Sequence, residues 1–321
     1  MSEIQTELPP LEERPLVTFA LFAYNQEKYI REAIEGAFAQ TYEPLEIILS
    51  DDCSTDRTFE IARAISEAYV GPHRLILNRN ERNIGISAHF SKVVEMASAE
   101  HIVIAAGDDI SFPDRAELCM RFFQGDPNIS FVQTGYLNFS GDVPDLGIKF
   151  ESDWKSDSRR IFLEDYLSDS TPVLLGASRA IRKSVFSTFP ALNKNCPEED
   201  KPSIVRLLMT APARYVASPA IHRRVHGESL SDPINLSRMN SEGLLEQFKD
   251  DAAFAQNKQI IDRKLYKRIT VWASRYVERR RVSLAYMNSK NRFRDFFVRI
   301  VPCGAIPIRQ KIYELKKLIS N

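Results

Sequence analysis

Three short apolar runs constrain this chain more than any other feature, because each is rich in strand formers and each stops abruptly at polar residues. They occupy residues 16–23, 45–50 and 101–106, and they end at Tyr24-Asn25, Asp51-Asp52 and Gly107-Asp108-Asp109. Continuous apolar runs of this length, bounded by turn residues, read as strands buried on both faces. A weaker run at 74–77 reads as a further strand. The intervening segments carry helical spacing: Ile30, Ala33, Ile34, Ala37 and Phe38 within 26–40, then Phe59, Ala62, Ile65 and Tyr69 after a Ser54-Thr55-Asp56 cap. Residues 87–97 form a third helical segment. Strands alternating with helices predict an α/β domain, its sheet mostly parallel and covered on both faces.

Beyond Pro113 the pattern loosens. The sequence predicts a helix over 115–123, a strand over 129–138 and a polar surface loop over 140–160. Strands over 173–181 and 213–225 flank a helix over 203–209. After Asp232 the strand patterns stop, and helices continue to the C-terminus with breaks near Pro302-Cys303-Gly304 and at Pro307. The expected organisation is an N-terminal tail (1–15), an α/β domain (16–231) and a basic helical region (232–321).

At 321 residues, 44% hydrophobic and 27% charged, the chain can bury a large core without covalent staples. Its four cysteines, Cys53, Cys119, Cys196 and Cys303, show no metal-type or redox-type pairing, which fits inert thiols in a reducing cytoplasm. The first residues are acidic and proline-bearing, unlike a secretory signal. No apolar stretch approaches the ~20 residues of a spanning helix. The expectation is a cytoplasmic protein, at most peripheral on the cytoplasmic face of a membrane.

Net charge is zero, but from Arg263 onward there are 16 lysines and arginines against three acidic residues. A strongly basic tail therefore follows an acidic body, which points to an anionic partner for the tail. Basic residues alternate there with aromatic and aliphatic ones. An anionic membrane surface fits that pattern, and so does a helical cap or an oligomer contact with a solvated basic face. A nucleic-acid partner is disfavoured, since no recognised binding module frames the basic residues.

The strand ends carry the chemistry. In an open α/β sheet, ligands bind beyond the carboxyl ends of the strands. Acidic pairs there repel a bare phosphate, so a bound Mg²⁺ or Mn²⁺ is the natural mediator between carboxylates and phosphate oxygens. One Asp-Asp pair alone more often forms a turn or cap. Two pairs and a Tyr-Asn loop at corresponding strand ends make the stronger case. Neither a P-loop nor a dinucleotide fingerprint is present.

The stretches VTFALFAYNQEKYIREAIEGAFAQTY, LEIILSDDCSTDRT, NERNIGISAHF and HIVIAAGDDISFPDR resemble the nucleotide-binding half of the family 2 glycosyltransferases. A weaker likeness continues through LLGASRAIRKSVF, PEEDKPSIVRLL and HRRVHGESLS, so it covers residues 16 to about 231. The resemblance implies a GT-A fold (the Rossmann-like fold of nucleotide-diphospho-sugar transferases) with a C-terminal helical extension. It also implies inverting sugar transfer from a UDP- or dTDP-sugar to a glycan or lipid-linked glycan, as in bacterial surface polysaccharide, O-antigen or lipopolysaccharide assembly.

Residue by residue, the resemblance places Tyr24 on the donor's pyrimidine ring, although a buried aromatic is the plainer reading. Asn25 and Glu27 would shape that loop, with capping by Asn25 as the alternative. Asp52 would accept a hydrogen bond from the base imide, while Asp51 closes the turn and Asp56 caps the next helix. The first position of the family's Asp-X-Asp is glycine here, so Asp109 falls at the metal position and Asp108 at the ribose or metal-water position. His89, Phe90 and Lys92 are assigned to packing or helix surface. In Glu198-Glu199-Asp200, Asp200 falls at the general-base position, the alternative being an acidic first helical turn. Glu199 orients that base or is simply solvated. In His222-Arg223-Arg224-Val225-His226-Gly227-Glu228-Ser229, Arg224 matches a diphosphate contact and His226 a metal ligand, or a structural histidine.

Two rivals remain at this point: a nucleotidyltransferase, which lacks its glycine- and lysine-bearing loop here, and a non-catalytic nucleotide-sugar-binding or scaffold protein. Donor sugar, acceptor linkage and oligomeric state are not fixed by these patterns.

Overall fold

A computed structural model of the protein describes residues 8–141, 158–227, 239–289 and 291–319, the last four of them by backbone only. The chain forms two compact units. The first comprises Met1–Lys194 with Glu198–Val225; the second comprises Asn195–Pro197 with His226–Asn321. The expected domain boundary at 231/232 lies outside the described residues.

In the first unit, β1 (Val17–Ala23) and β2 (Leu45–Asp51) are buried along their whole length. β1 pairs in parallel with β2 on one side and with β4 (His101–Ala106) on the other, and β2 pairs with β3 (Arg74–Arg79). The register aligns Ala23 with Asp51 and Phe22 with Ala106, so three strands end at one level. That alignment follows from the sequence, since each apolar run stops where the polar loop residues begin.

Four helices connect or follow these strands: α1 (Ile30–Phe38), α2 (Thr58–Glu67), α3 (Ile86–Met96) and α4 (Arg115–Gly125). α1 buries Ile30, Ala33, Ile34 and Ala37 at the spacing read from the sequence. It begins four residues later than the pattern predicts, because residues 25–27 bond to the loop that follows β2. Ile30, Ile34, Phe19, Ile47 and Met120 belong to one continuous core, on which the tail residue Leu8 also packs.

The sheet then turns mixed. After β5 (Ile110–Ser111) and α4 come β6 (Phe131–Phe139), β7 (Ser158–Ile161), α5 (Leu163–Leu167), β8 (Arg179–Arg182), α6 (Lys183–Phe186), α7 (Asp200–Thr210) and β9 (Ala213–Arg224). Among the described residues the order is β3-β2-β1-β4-β8-β6-β9-β5, with β7 on β9. The strand expected over 173–181 is confined to β8, because residues 176–178 form a tight turn held by Gln133, whose amide donates to Leu175 O (3.0 Å). Of the polar loop expected over 140–160, residues 142–157 lie outside the described residues, and 158–161 form β7. There Arg160 makes a bidentate pair with Asp126 (2.7 and 2.5 Å). The two-residue strand β5 carried no sequence signal.

The second unit is helical: α8 (Ser241–Asn257), α9 (Arg263–Met287), α10 (Arg292–Asp295) running into a π-turn (Phe296–Ile300), and α11 (Ile308–Ile319). Asn240 and Asp262 cap α8 and α9 by accepting from Gly243 N and Leu265 N. Phe248 of α8 meets Trp272 and Tyr276 of α9 edge-on. A break falls at 301–307, as the proline and glycine positions predict, and further breaks after Asn257 and after Met287 carried no such signal. No helix among the described residues is long and apolar enough to cross a membrane.

One buried charge in the first unit supports a stability prediction. Glu46 on β2 is fully buried and accepts from Thr18 Oγ1, Ser98 N and Ser98 Oγ, with Arg74 at 3.2 Å. Glu46→Ala leaves the buried Thr18 hydroxyl without its acceptor and removes the partner of Ser98 and Arg74, which lie at the surface. Urea unfolding should show a loss of about 1–2 kcal/mol, the usual consequence of leaving one buried polar group unsatisfied.

Candidate active site

The ends of β1, β2 and β4 form one joined structure. Asp52 N donates to Ala23 O (2.9 Å), and Gly107 N donates to Phe22 O (2.8 Å). The loop after β1 is clasped to the loop after β2. Asn25, at φ 52°, donates from its backbone to Ser54 Oγ, and its side-chain oxygen accepts from Thr55 N (2.8 Å). Glu27 N donates to Asp56 Oδ2 while Glu27 Oε2 accepts from Arg57 N, both at 3.0 Å. Asn25 and Glu27 thus hold the two loops together. Tyr24 projects from this clasp with 44% of its surface exposed, so its ring is open to a planar ligand.

Asp51 and Asp52 divide their work. Asp51 accepts from the backbone and hydroxyl of Ser54 and pairs with Arg79, closing the turn as its position suggests. Asp52 is buried. Its Oδ1 accepts from Asn80 Nδ2 and Ile84 N, and its Oδ2 from Gly85 N, which fixes the entrance to α3. A carboxylate offers about four acceptor sites, so one remains for a further donor. Asp56 accepts from Thr58 N and Oγ1 at the start of α2.

Behind Asp52 lies a buried polar group. Asn78 donates to Ser50 Oγ (2.9 Å), which is hydrogen-bonded to His89 Nε2 (2.6 Å). Lys92 donates to Asn80 (2.6 Å). Burial, offset in part by Asp52, brings His89 down from 6.5 to about 4; burial and Arg182 do the same for His101. Both histidines are neutral in the fold and charged when unfolded at mild acid. Their contribution is complete above pH 6.5 and is lost as pH falls towards 4, at most on the order of 3 kcal/mol each. Unfolding free energies measured at pH 7 and pH 5 should show the drop, with a shallower slope in His89→Gln.

Gly107 has a physical reason for standing where the family has aspartate. A Cβ at this position would collide with Gln26 Oε1 and crowd Ile30 and Phe22 O. The acidic residues are therefore Asp108 and Asp109 alone. Asp109 is 8% exposed; burial, and then the neighbouring Asp108, push its carboxyl up to about 7. Its Oδ1 accepts from Arg224 N (2.9 Å). The Arg224 guanidinium sits between the rings of Tyr29 (4.7 Å) and Phe139 (4.5 Å), and its Nε donates to Asp108 O (3.1 Å). Pairing of Ile110 with His222 brings the end of β9 beside this turn.

A divalent cation fits these residues in a limited way. Two adjacent carboxylates, one poorly compensated in the buried state, offer hard oxygen ligands. Among the described residues no cluster of three metal-ligating side chains exists. Mg²⁺-type sites commonly use one or two carboxylates and take their other ligands from phosphates and water. Asp109 and Asp108 suit that pattern. His226 belongs to the second unit.

Asp200 opens α7. Its Oδ1 accepts from Arg179 Nη2 (3.0 Å), and Arg179 is buried over the Phe131 ring. Gly176 lets this carboxylate approach, since a Cβ there would strike Asp200 Oδ1. Burial, with Asp200 adding repulsion, raises Glu199 to about 8. The two acidic regions are joined through Arg115, which is fully buried. It donates to Ser111 Oγ (2.9 Å), Ile104 O (2.5 Å), Ala177 O (2.6 Å) and Arg179 O (3.5 Å). Sequence reasoning missed Arg115, Arg179 and Gln26. The two arginines lie inside the quoted family-like stretches, Arg115 at the start of α4 and Arg179 at the start of β8. The four cysteines are free thiols, buried except for the partly exposed Cys53.

Comparison with known proteins gives the class. The glycosyl transferase family 2 profile matches residues 18–189, more than half of the chain. The chain belongs to glycosyl transferase family 2, and its curled mixed sheet with a helical C-terminal region is the expected GT-A arrangement. It is 34% identical over 125 residues to the putative glycosyltransferase EpsE of Bacillus subtilis, covering 39% of this chain and 44% of that protein. It is also 34% identical over 132 residues to a chondroitin synthase of Escherichia coli, covering 41% of this chain and 19% of that protein. The chain spans less than half the length of these curated relatives. Among solved structures, the TarS fragment of S. aureus in complex with UDP-GlcNAc superposes with a TM-score of 0.62 at 16% identity, covering 91% of this chain and 82% of that one. The mannosyltransferase PcManGT of Pyrobaculum calidifontis, in complex with GDP-Man and Mn²⁺, gives 0.60 at 15% identity, covering 99% and 85%. At these identities the two structures speak for the fold.

Proposed function

We propose that the protein is an inverting glycosyltransferase that moves a sugar from a UDP- or dTDP-sugar to a hydroxyl of a glycan or lipid-linked glycan. The observation that carries this reading is the Asp108-Asp109 turn, with its buried, under-compensated carboxyl, set among the joined ends of β1, β2 and β4. Tyr24 offers its exposed ring to the pyrimidine, and the free acceptor site of Asp52 suits the base imide. Asp108 would meet the ribose. Asp109 and Asp108 would hold Mg²⁺ or Mn²⁺, which neutralises charge on the departing diphosphate when bound. Arg224, fixed beneath the turn, adds positive charge behind the diphosphate. His226 stays a candidate ligand on sequence position alone.

In the transfer, the acceptor oxygen forms a bond to the anomeric carbon as the bond to the diphosphate breaks. The acceptor proton passes to Asp200, whose Oδ1 is held by Arg179 and whose Oδ2 is the atom left for the proton. Attack opposite the leaving group inverts the anomeric centre. The TarS complexes with UDP and UDP-GlcNAc and the PcManGT complex with GDP-Man support a nucleotide-sugar donor. EpsE and the chondroitin synthases support polysaccharide synthesis as the setting. We place residues 16–231 as the transferase domain, working in the cytoplasm on bacterial surface polysaccharide.

The test is donor hydrolysis and thermal shift across a panel of nucleotide-sugars, with and without Mn²⁺. Metal-dependent stabilisation by uridine or thymidine diphosphates is the expected result. No shift with any nucleotide would remove the reading.

A further inference from the structure

Fifteen large hydrophobic side chains are exposed among the described residues, and seven of them fall between Phe293 and Tyr313 in the second unit. Phe293 and Phe297 are 66% and 51% exposed and lie four residues apart, their rings 5.4 Å from centre to centre. Val298, Val301, Ile308 and Ile312 are exposed beside them in sequence. This segment is nevertheless folded. Tyr286, Phe296, Ile300, Cys303 and Ile306 form a small core of their own, with Leu315 packed against it, and Lys311 Nζ donates to Val301 O (2.6 Å). The outward apolar residues are thus displayed by a formed scaffold.

Their neighbours are cationic. Arg292, Arg294, Arg299 and Arg309 are exposed in the same segment, with Lys311 partly so. Its one acidic residue, Asp295, is buried and paired with Arg294 and Arg299 (both 3.1 Å). We propose that this segment, residues 292–313, is a docking face for an anionic lipid bilayer. Phe293, Phe297 and the aliphatic residues would enter the headgroup–acyl boundary while the arginines reach lipid phosphates.

Charge decides the occupant. Arginine and aromatic side chains are common at protein interfaces too, but a face with four exposed arginines and no exposed acid within 292–313 repels a second copy of itself and suits an anionic surface. Valine and isoleucine offer no ring for base stacking, which argues against a single-stranded nucleic acid. A surface that mixes apolar side chains with long cations is what lies in the plane of an anionic membrane, since arginine stems stay with the apolar layer while their heads remain in the wet one. The proposal stands apart from the transferase reading, because vesicle binding needs neither donor nor metal.

The experiment is flotation of the full chain with phosphatidylglycerol–phosphatidylcholine vesicles, and with phosphatidylcholine alone, at low and high salt. Binding to the anionic vesicles that weakens with salt is expected. Arg292→Glu with Arg309→Glu should weaken partitioning by about thirtyfold or more, at roughly fivefold for each cation near the surface. Phe293→Ser with Phe297→Ser should weaken it at least tenfold at an unchanged melting temperature, since both rings are largely exposed. Absence of binding to anionic vesicles at low salt would overturn the proposal. So would unchanged binding in both double variants, or a stable dimer in light scattering that the Phe293→Ser, Phe297→Ser variant dissolves.

Discussion

Asp109→Asn should lower metal-dependent donor turnover by about a thousandfold, the scale expected when a site loses the charge that holds its cation. Asparagine keeps the volume of the side chain and an oxygen for the Arg224 N–H, so the turn itself should survive. What disappears is the charge. The wild-type carboxyl is buried beside Asp108, and burial with that repulsion pushes it up to about 7, so the protein alone leaves its charge under-compensated. Removing its charge relieves that burden, and the variant should be as stable as the wild type or slightly more so in the absence of nucleotide. Thermal shift with uridine diphosphate and Mn²⁺ should separate the two proteins cleanly: a clear rise in the wild type, and in the variant only the shift that nucleotide gives without metal. Equal metal-dependent shifts would place the cation elsewhere.

The second large effect is expected at Asp200. Asp200→Asn should cut kcat by a factor of about 10²–10⁴, the range for loss of a positioned general base, while donor affinity changes little. Asparagine keeps a hydrogen-bond acceptor for the enclosed Arg179 although the charge is lost, whereas alanine removes both. Asp200→Ala should therefore lose about 3 kcal/mol of stability as well as activity, because the remaining buried charge has neither counter-ion nor acceptor. The pair of variants separates chemistry from folding. A protein that only binds nucleotide-sugar would show full donor binding and no turnover in the wild type, and Asp200→Asn would change neither.

The strand ends were legible because their signal is local. An apolar run that stops at Asp51 or Gly107 marks both the strand and its mouth, and parallel pairing then aligns the mouths without further information. The order of the later strands was not legible. β8 is four residues long and is bounded by a turn that Gln133 stabilises from another strand, so its length depends on a contact distant in sequence. β5 exists only because β9 passes beside it. The site divides in the same way. Asp108, Asp109 and Asp200 could be found by position in a motif. The arginines that organise them could not, since Arg115 acquires its role from carbonyls contributed by residues 104, 177 and 179. The sequence places Asn25 and Glu27 in the loop after β1, while their bonds to the loop after β2 needed three-dimensional proximity to appear.

That clasp between the loops after β1 and β2 has a consequence for how such a protein can change over generations. Glu27 and Asp56 each accept a backbone hydrogen from the other's loop, and Asn25 does the same for Thr55. A substitution on one side leaves a donor on the other without its acceptor, so neither loop is free to drift alone. Related chains should alter positions 25 and 27 together with 54–56 or leave all of them untouched, and a graft of one loop from a cousin should fail where a graft of both succeeds. The two segments, nearly thirty residues apart along the chain, are a single unit of inheritance.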